Sequence, residues 1–306
     1  MEHDNASSFC RAWNKNPTGT HSGAKKPGHN AEDAIRLPET ACLPINRCNL
    51  PAAILGSLAY QKAPLPLELD GVRELHRDLF RRLEATPHAK ARAEVFRDYM
   101  TVHFRLEHLE EAGLATGTAG AKASRARTNY MSLIRGWCFD ANGHEGAALK
   151  GWVESRFGLL PRYHGGLLRA PEDEAHRRYR RIQAQMCYGA NALEAQLDLV
   201  YAYCQYEFAR AHPEQTHLQL YRGVNRLEEY EILGGARKEP ILLLNNLSSC
   251  TATRERAEEF GDHILTLEAP IPKILFHCQL LPFILKSEDE FLLIGGLYRT
   301  QCSHWP

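Results

Sequence analysis

The chain has 306 residues, with 37 basic and 37 acidic side chains, a formal net charge of zero and 44% hydrophobic residues. This composition is typical of a globular protein with one large domain or two smaller ones. No apolar run approaches the roughly 20 residues that a membrane-spanning helix needs. The balanced charge argues against a protein whose main role is to coat nucleic acid, because such binding requires a large excess of Lys and Arg.

The cysteine, histidine and N-terminal patterns bear on metal binding and location. Nine cysteines are spread along the chain without a Cys-x-x-Cys pair or zinc-finger spacing, a pattern that favours reduced thiols. His103 and His108 lie five residues apart, which does not put them on one helical face. Residues 1–30 have neither the apolar core of a signal peptide nor the Arg-rich composition of a transit peptide. We therefore predict a cytoplasmic protein with no metal, no bound nucleic acid and no membrane span.

Composition and periodicity predict a leader followed by helices. Residues 1–40 are rich in Asn, Ser, Gly, Lys, His and Pro, which predicts a disordered leader because few apolar side chains could stabilise a fold. The region 41–212 is predicted to be mainly helical: residues 43–69 carry four prolines and are expected to be ordered but mostly irregular, and apolar residues recur at helical spacing from residue 72 onward. The predicted helices are 72–83, 95–109, two stretches through Ile134 and Val153, 172–188 and 190–210. The apolar stripe of the helix 95–109 includes Val95, Tyr99 and Val102.

After Pro213 the pattern changes to short apolar runs separated by Gly, Pro and charged residues, which predicts strands. These are 217–224, 241–247, 263–267, 273–281 and 290–294. The glycine pairs at 234–235 and 295–296 are interpreted as turns, since they lack the context of a dinucleotide-binding loop. The prediction is an α+β protein, in which a helical region of residues 41–212 packs as one unit with a small strand-rich region of residues 213–306.

Three groups of polar residues interrupt this strand-rich region, and the first is Arg222. By strand alternation it shares a face with Leu220 and Val224. A guanidinium is always charged, so on an apolar face it needs an anion. That anion is either a ligand or a buried Glu, unless the arginine lies at a solvent-exposed strand end.

The second group is the cluster Ser248-Ser249-Cys250-Thr251, which follows the predicted strand 241–247 and precedes a helix-like segment. Small hydroxyls at such a junction commonly cap the helix. Alternatively, they serve a ligand site.

The third group is Glu288-Asp289-Glu290, directly before a predicted strand. Alternation puts Glu288 and Glu290 on one face and turns Asp289 the other way. Two neighbouring carboxylates repel, which raises one of their pKa values and suits the pair to two different tasks. The alternative is an acidic turn that keeps an edge strand soluble.

The order Arg, Ser-Ser, Glu-x-Glu, over about 70 residues, resembles the R-S-E signature of the mono-ADP-ribosyltransferases. Within that class the chain is most similar to the family that modifies dinitrogenase reductase, the NAD-dependent regulators of nitrogenase in nitrogen-fixing bacteria. The segments that carry this similarity are Asn49-Leu50-Pro51, Ile54-Leu55-Gly56-Ser57, Leu69-Asp70-Gly71-Val72, Arg135-Gly136-Trp137, 150–158 and Leu220-Tyr221-Arg222-Gly223. The resemblance implies that the strand-rich region is an ADP-ribosyltransferase-like NAD-binding core.

The resemblance also implies roles for the residues around the predicted NAD site. Arg222, flanked by Tyr221 and Gly223, would bind the phosphates of NAD through charge-assisted hydrogen bonds. Phe260 would pack near the nicotinamide, or else belong to the hydrophobic core.

The family's serine motif also has a counterpart here. It stands as Ser248-Ser249-Cys250, or as Ser249-Cys250-Thr251 if the frame shifts by one. We expect Ser248 to orient the nicotinamide ribose and the catalytic glutamate, with Ser249 in the same motif.

Two glutamates would carry the catalysis implied by the resemblance. Glu290 would hold the ribose 2′-hydroxyl and offset the positive charge of an oxocarbenium-like transition state. Glu288 would orient an acceptor arginine and take its proton. The loop of residues 282–287, including Phe283, would contact the target protein.

The implied function is NAD-dependent mono-ADP-ribosylation of an arginine on dinitrogenase reductase, the nitrogenase iron protein, which switches off nitrogen fixation. NAD would be a co-substrate, and a PII nitrogen-signalling protein is a further expected partner. Two alternatives remain open. One is an NAD glycohydrolase with water as the acceptor, and the other is a non-catalytic regulatory protein with the same fold.

Overall fold

The computed structural model describes residues 35–106, 128–187, 192–227, 230–284 and 289–304. Most helices precede the strands along the chain, which confirms the predicted α+β class. The described part of Ile35–Pro306 forms one compact unit. Residues 1–34 of the predicted leader lie outside the described residues, whereas Leu37 is already buried in the hydrophobic core.

The helices are α1 (Ala52–Leu55), α2 (Leu58–Lys62), α3 (Val72–Leu75), α4 (Arg77–Glu84), α5 (Ala89–His103), α6 (Tyr130–Phe139), α7 (His144–Phe157), α8 (Glu174–Cys187), α9 (Leu193–Ala211) and α10 (Arg254–Glu258). Helices α6 to α9 lie where the periodicity predicts them. None of the helices in the described ranges is long and apolar enough to cross a membrane.

The first two predicted helices differ from those observed. The segment 72–83 is divided into α3 and α4, because His76 between them has the non-helical backbone angles φ −105° and ψ 26°. Helix α5 begins before residue 95 and ends at His103. Residues 107–109 of the second predicted helix lie outside the described residues.

The buried face of α5 is rotated from the predicted stripe. Phe96 and Met100 are fully buried, whereas Val102 is exposed. A buried ion pair lies on the same face as Phe96: Arg92 donates from Nε and Nη2 to the two carboxylate oxygens of Glu207 on α9, both at 2.7 Å. The other two residues of the predicted stripe are partly buried against the core, so the apolar periodicity identifies one edge of the buried face and omits the buried arginine.

The strands are β1 (His217–Val224), β2 (Glu231–Ala236), β3 (Glu239–Thr251), β4 (His263–Pro270), β5 (Ile274–His277) and β6 (Glu290–His304). They form an antiparallel sheet in the order β2-β3-β1-β4-β6-β5, with a further pairing between β3 and β6. The pairings β1–β3, β1–β4, β4–β6 and β3–β6 therefore close a circuit of four strands.

Both glycine pairs lie within strands, which corrects their interpretation as turns. The first pair, 234–235, belongs to β2, a strand that the sequence pattern did not predict. In the second pair, Gly295 faces a register irregularity of β3 that contains Asn245. A Cβ on Gly295 would lie 1.9 Å from the Asn245 carbonyl oxygen, so glycine permits the close approach of the two strands. Strand β6 thus continues through the pair to His304.

The helices and the sheet share one hydrophobic core. Helix α9 binds the sheet side through Gln205, whose Nε2 donates to the Ile274 carbonyl oxygen at 2.7 Å. Helix α7 is joined to α9 by Trp152 Nε1 and Arg156 Nε, which both donate to Asp198 Oδ1 at 2.7 Å. The segment 150–158 of the family resemblance therefore belongs to a helix that is almost wholly buried.

Candidate active site

The end of β3, the start of β6 and the second half of β1 meet at one place in the sheet. Tyr221 of β1 and Glu290 of β6 both pair with Thr251 at the end of β3. Neighbouring strands lie about 4.8 Å apart, so polar side chains at these positions are within reach of one another. The structure thereby brings together Arg222, Ser249 and Glu290, although they come from separate parts of the sequence.

Glu290 is half-buried and is the first residue of β6. Its Oε1 accepts a hydrogen bond from Ser249 Oγ at 2.5 Å. Its backbone N–H donates to Cys278 Sγ at 3.2 Å. Burial raises the pKa of the Cys278 thiol, so this sulfur stays neutral near pH 7. Both the backbone and the side chain of the glutamate are therefore held in position.

Arg222 lies on the face of β1 that also carries buried Val224, as the alternation predicts. Its Nη1 donates to the Ser249 carbonyl oxygen at 2.6 Å, and its Nε donates to the Tyr230 hydroxyl at 3.0 Å. Within the described residues, no carboxylate forms an ion pair with this guanidinium. Interaction with Tyr230 is the largest effect that raises the pKa of Arg222. The arginine is thus a fixed cation suited to an anionic ligand.

The hydroxyl beside the glutamate belongs to Ser249 and not to Ser248, which differs from the expectation. Strand β3 continues through Thr251 instead of ending before the serines. Alternation then turns the two serine side chains to opposite faces: Ser248 is buried, whereas Ser249 contacts Glu290. The helix-capping alternative does not apply, because the N-cap of α10 is Thr253.

The other residues expected near NAD surround β1 and α10. The Tyr221 hydroxyl donates to Gln219 Oε1 at 2.7 Å. A Cβ on Gly223 would lie 1.9 Å from the Ala257 carbonyl oxygen, so glycine lets α10 pack closely against β1. Phe260, just after α10, is 62% exposed and therefore does not belong to the core.

Of the predicted acidic group, Glu288 lies outside the described residues. Asp289 accepts a hydrogen bond from His277 Nε2 at 3.1 Å, and the His277 ring stacks on Phe291 with centroids 3.8 Å apart. Burial lowers the pKa of His277, and the bond to Asp289 opposes that effect. Among the described residues, no group of three or more His, Cys, Asp or Glu side chains could hold a metal ion.

Sequence reasoning missed two residues beneath the site. Trp137 Nε1 of α6 donates to Ser249 Oγ at 2.9 Å across 112 residues of chain. Lys150 Nζ lies 5.6 Å from the centroid of the Trp137 ring and donates to the carbonyl oxygens of Ala141 and Tyr163 at 2.9 and 3.1 Å. Burial lowers the pKa of Lys150 to about 7. The only signal for either residue was its place in a segment that resembles the family.

The chain is similar to proteins of known activity along most of its length. The family model described as "Dinitrogenase reductase ADP-ribosyltransferase (DRAT)" matches residues 45–302. The chain belongs to this family. It is also 37% identical over 262 residues to the NAD(+)--dinitrogen-reductase ADP-D-ribosyltransferase of Rhodospirillum rubrum. The aligned residues cover 85% of this chain and 94% of the relative. No solved structure matches the chain. The family match includes both the helical region and the strands that carry the candidate site.

Proposed function

We propose that this protein is an enzyme that transfers ADP-ribose from NAD to an arginine of dinitrogenase reductase. The observation that carries the proposal is the Ser249–Glu290 hydrogen bond beside the Arg222 guanidinium, in a chain of the family named for this activity. The relative in R. rubrum is named for the same reaction. A PII nitrogen-signalling protein is a further proposed partner, which rests on the family resemblance alone.

Arg222 would bind the diphosphate of NAD. Its guanidinium is oriented by Ser249 and Tyr230, which are neutral acceptors, and no carboxylate in the described ranges neutralises it. A phosphate oxygen would supply the missing negative charge through a charge-assisted hydrogen bond. Gly223 would keep α10 close to the strand, and the exposed Phe260 ring would pack near the nicotinamide.

Glu290 would act at the ribose of NAD. The transfer breaks the bond between C1 of that ribose and the nicotinamide nitrogen, and it forms a bond from C1 to a nitrogen of the acceptor arginine. Positive charge develops on the ribose between these two events, as in glycoside cleavage. The Glu290 carboxylate, held by Ser249, would accept the 2′-hydroxyl proton in a hydrogen bond and offset that charge. Nicotinamide leaves as a neutral molecule.

Glu288 would accept the proton that the acceptor arginine loses. A free guanidinium is protonated at physiological pH and is a poor nucleophile, so it needs a base beside it. The loop of residues 282–287 would contact the surface around that arginine. Residues 285–287 of this loop lie outside the described residues. Phe283 is held within the chain, because its carbonyl oxygen accepts from Arg135 Nη2 at 3.1 Å and its ring lies 5.7 Å from the Arg97 guanidinium.

The test is incubation of the protein with labelled NAD and purified dinitrogenase reductase, followed by mass-spectrometric mapping of the modified residue. We expect label on one arginine. Glu290→Gln should abolish both labelling and nicotinamide release, whereas Glu288→Gln should abolish labelling and retain nicotinamide release. Glu268→Gln, an exposed carboxylate on β4, is the matched control and should retain both.

Two results would favour the competing functions. Release of nicotinamide by the unsubstituted protein without any labelled protein would indicate an NAD glycohydrolase. Undiminished labelling by Glu290→Gln would remove the catalytic interpretation of this site and favour a regulatory protein without catalysis.

A further inference from the structure

Helix α6 reaches the catalytic glutamate through a chain of two hydrogen bonds. Trp137 Nε1 donates to Ser249 Oγ at 2.9 Å, and Ser249 Oγ donates to Glu290 Oε1 at 2.5 Å. The Trp137 side chain is buried, with 2% of the residue exposed. A tryptophan of the helical region is therefore joined directly to a residue of the strand-rich core.

The direction of these bonds follows from the chemistry of the three groups. An indole N–H only donates, an ionised carboxylate only accepts, and a hydroxyl has one hydrogen and two lone pairs. When Trp137 occupies a lone pair of the Ser249 oxygen, the serine rotor keeps its own hydrogen directed at Glu290. The chain from tryptophan to serine to glutamate can thus run in one direction only.

We propose that Trp137 is a positioning residue for the transfer reaction, which fixes the Ser249 hydroxyl and through it the Glu290 carboxylate at the ribose. This inference rests on the proposed function, because it takes Glu290 to be the residue that acts on NAD. Positioning of this kind lowers the barrier by holding the charged group in its reactive orientation before the substrate arrives.

The surroundings of Trp137 keep the indole in place. Helix α6 begins with a capping box between Asn129 and Ser132. One residue before the tryptophan, a Cβ on Gly136 would lie 2.3 Å from Glu145 Cγ, so glycine allows α6 and α7 to pack closely. The Nζ of buried Lys150 lies 5.6 Å from the centroid of the indole ring.

Arg135, on the same helix turn as Trp137, binds two backbone carbonyls that follow the 3-10 helix Cys278–Leu280. Arg135 donates from Nε to the Ile284 carbonyl oxygen at 3.0 Å and from Nη2 to the Phe283 carbonyl oxygen at 3.1 Å. In the Arg135-Gly136-Trp137 segment, the arginine binds the carbonyls of residues 283 and 284, the glycine allows α7 to pack closely, and the tryptophan donates to Ser249. This division of tasks gives the segment a physical role in the site.

A double-mutant cycle tests the proposal. Trp137→Phe removes the N–H and keeps a ring, and Ser249→Ala removes the hydroxyl that receives it. We expect Trp137→Phe to lower kcat about tenfold, the cost of one lost hydrogen bond in the transition state, with little change in the KM for NAD. In the Ser249→Ala background the same substitution should have almost no further effect, because no hydroxyl remains to be oriented.

Trp152→Phe is the matched control, since Trp152 is also buried and its Nε1 also donates, to Asp198 at 2.7 Å away from the strand ends. It should lower Tm and leave kcat unchanged. A second measurement uses the folded Ser249→Ala protein: the indole N–H proton signal of Trp137 should shift in its NMR spectrum, whereas that of Trp152 should not.

Three results would overturn the proposal. The first is an unchanged kcat in Trp137→Phe. The second is an equal fall in kcat caused by Trp137→Phe with and without the Ser249 hydroxyl. The third is a Trp137 indole N–H signal that does not shift in Ser249→Ala. Any of these alongside an inactive Glu290→Gln protein would refute the positioning role alone. A fully active Glu290→Gln protein would instead refute the proposed function.

Discussion

Lys273 offers a sharp test of the energetics of the fold. Its side chain has no exposed surface, its Nζ has no hydrogen-bond partner among the described residues, and the Tyr298 ring centroid lies 4.4 Å away. Burial lowers its pKa from 10.5 to about 7. Replacement by Met keeps a side chain of similar length without the amine.

The change in the free energy of unfolding on Lys273→Met, and its dependence on pH, follow from the difference in the pKa of Lys273 between the folded and unfolded chains. Between pH 7 and 10.5 the unfolded chain keeps the Lys273 proton while the folded chain releases it, so the stability of the unsubstituted protein rises with pH in this window. At about 1.4 kcal/mol per pH unit, the buried amine costs the folded state up to about 5 kcal/mol at and below pH 7. Lys273→Met should therefore be more stable by as much as this at pH 7 and lose most of the advantage near pH 10.

The assay is urea unfolding of both proteins at pH 7 and pH 9.5, with the free energy of unfolding compared at each pH. Lys238→Met, at an exposed position, is the matched control and should change stability by no more than about 0.5 kcal/mol at either pH. A stability gain that is equal at the two pH values, or a loss at pH 7, would refute the reasoning.

Three further predictions concern the site and its support. Arg222→Lys should raise the KM for NAD about tenfold or more with little change in Tm, because an ammonium cannot reproduce the two-nitrogen donation to Ser249 and Tyr230; steady-state kinetics at fixed iron protein would check this. Arg135→Lys should lower labelling of the iron protein more than it lowers nicotinamide release, because it frees the loop carbonyls; equal losses would contradict this. Arg92→Met should destabilise the fold by about 3 to 5 kcal/mol by leaving the Glu207 carboxylate buried without its partner, and Arg92→Met with Glu207→Leu should recover most of the loss in urea unfolding.

The features of the fold that local periodicity determines were predicted correctly. Strand β1 was predicted with its observed ends, and α6 to α9 were found from apolar spacing. Strand alternation correctly put Arg222 on the face that carries Val224. It also turned Asp289 away from the face of Glu290, and Asp289 binds His277 in the structure. In each case the deciding information lies within a few residues of chain.

The errors have a common origin in contacts between distant segments. The predicted α5 stripe wrongly included Val102 and omitted Arg92, whose buried partner Glu207 lies on α9. The glycine pair at 295–296 resembled a turn because the facing bulge of β3 is remote in sequence. The hydroxyl that contacts Glu290 is that of Ser249, whereas the sequence favoured Ser248 for this contact. The difference depends on the extent of β3, which its pairing with β6 determines.

The amino-acid sequence by itself determined the class of the fold and the three polar groups that make up the candidate site, because side-chain period and residue type are local properties. Only the tertiary structure decided which serine meets Glu290, and that Trp137 orients it from 112 residues away. Hydrogen bonds of this kind depend on how strand ends and helix faces come together. That geometry arises from the packing of the whole core, and no local pattern encodes it.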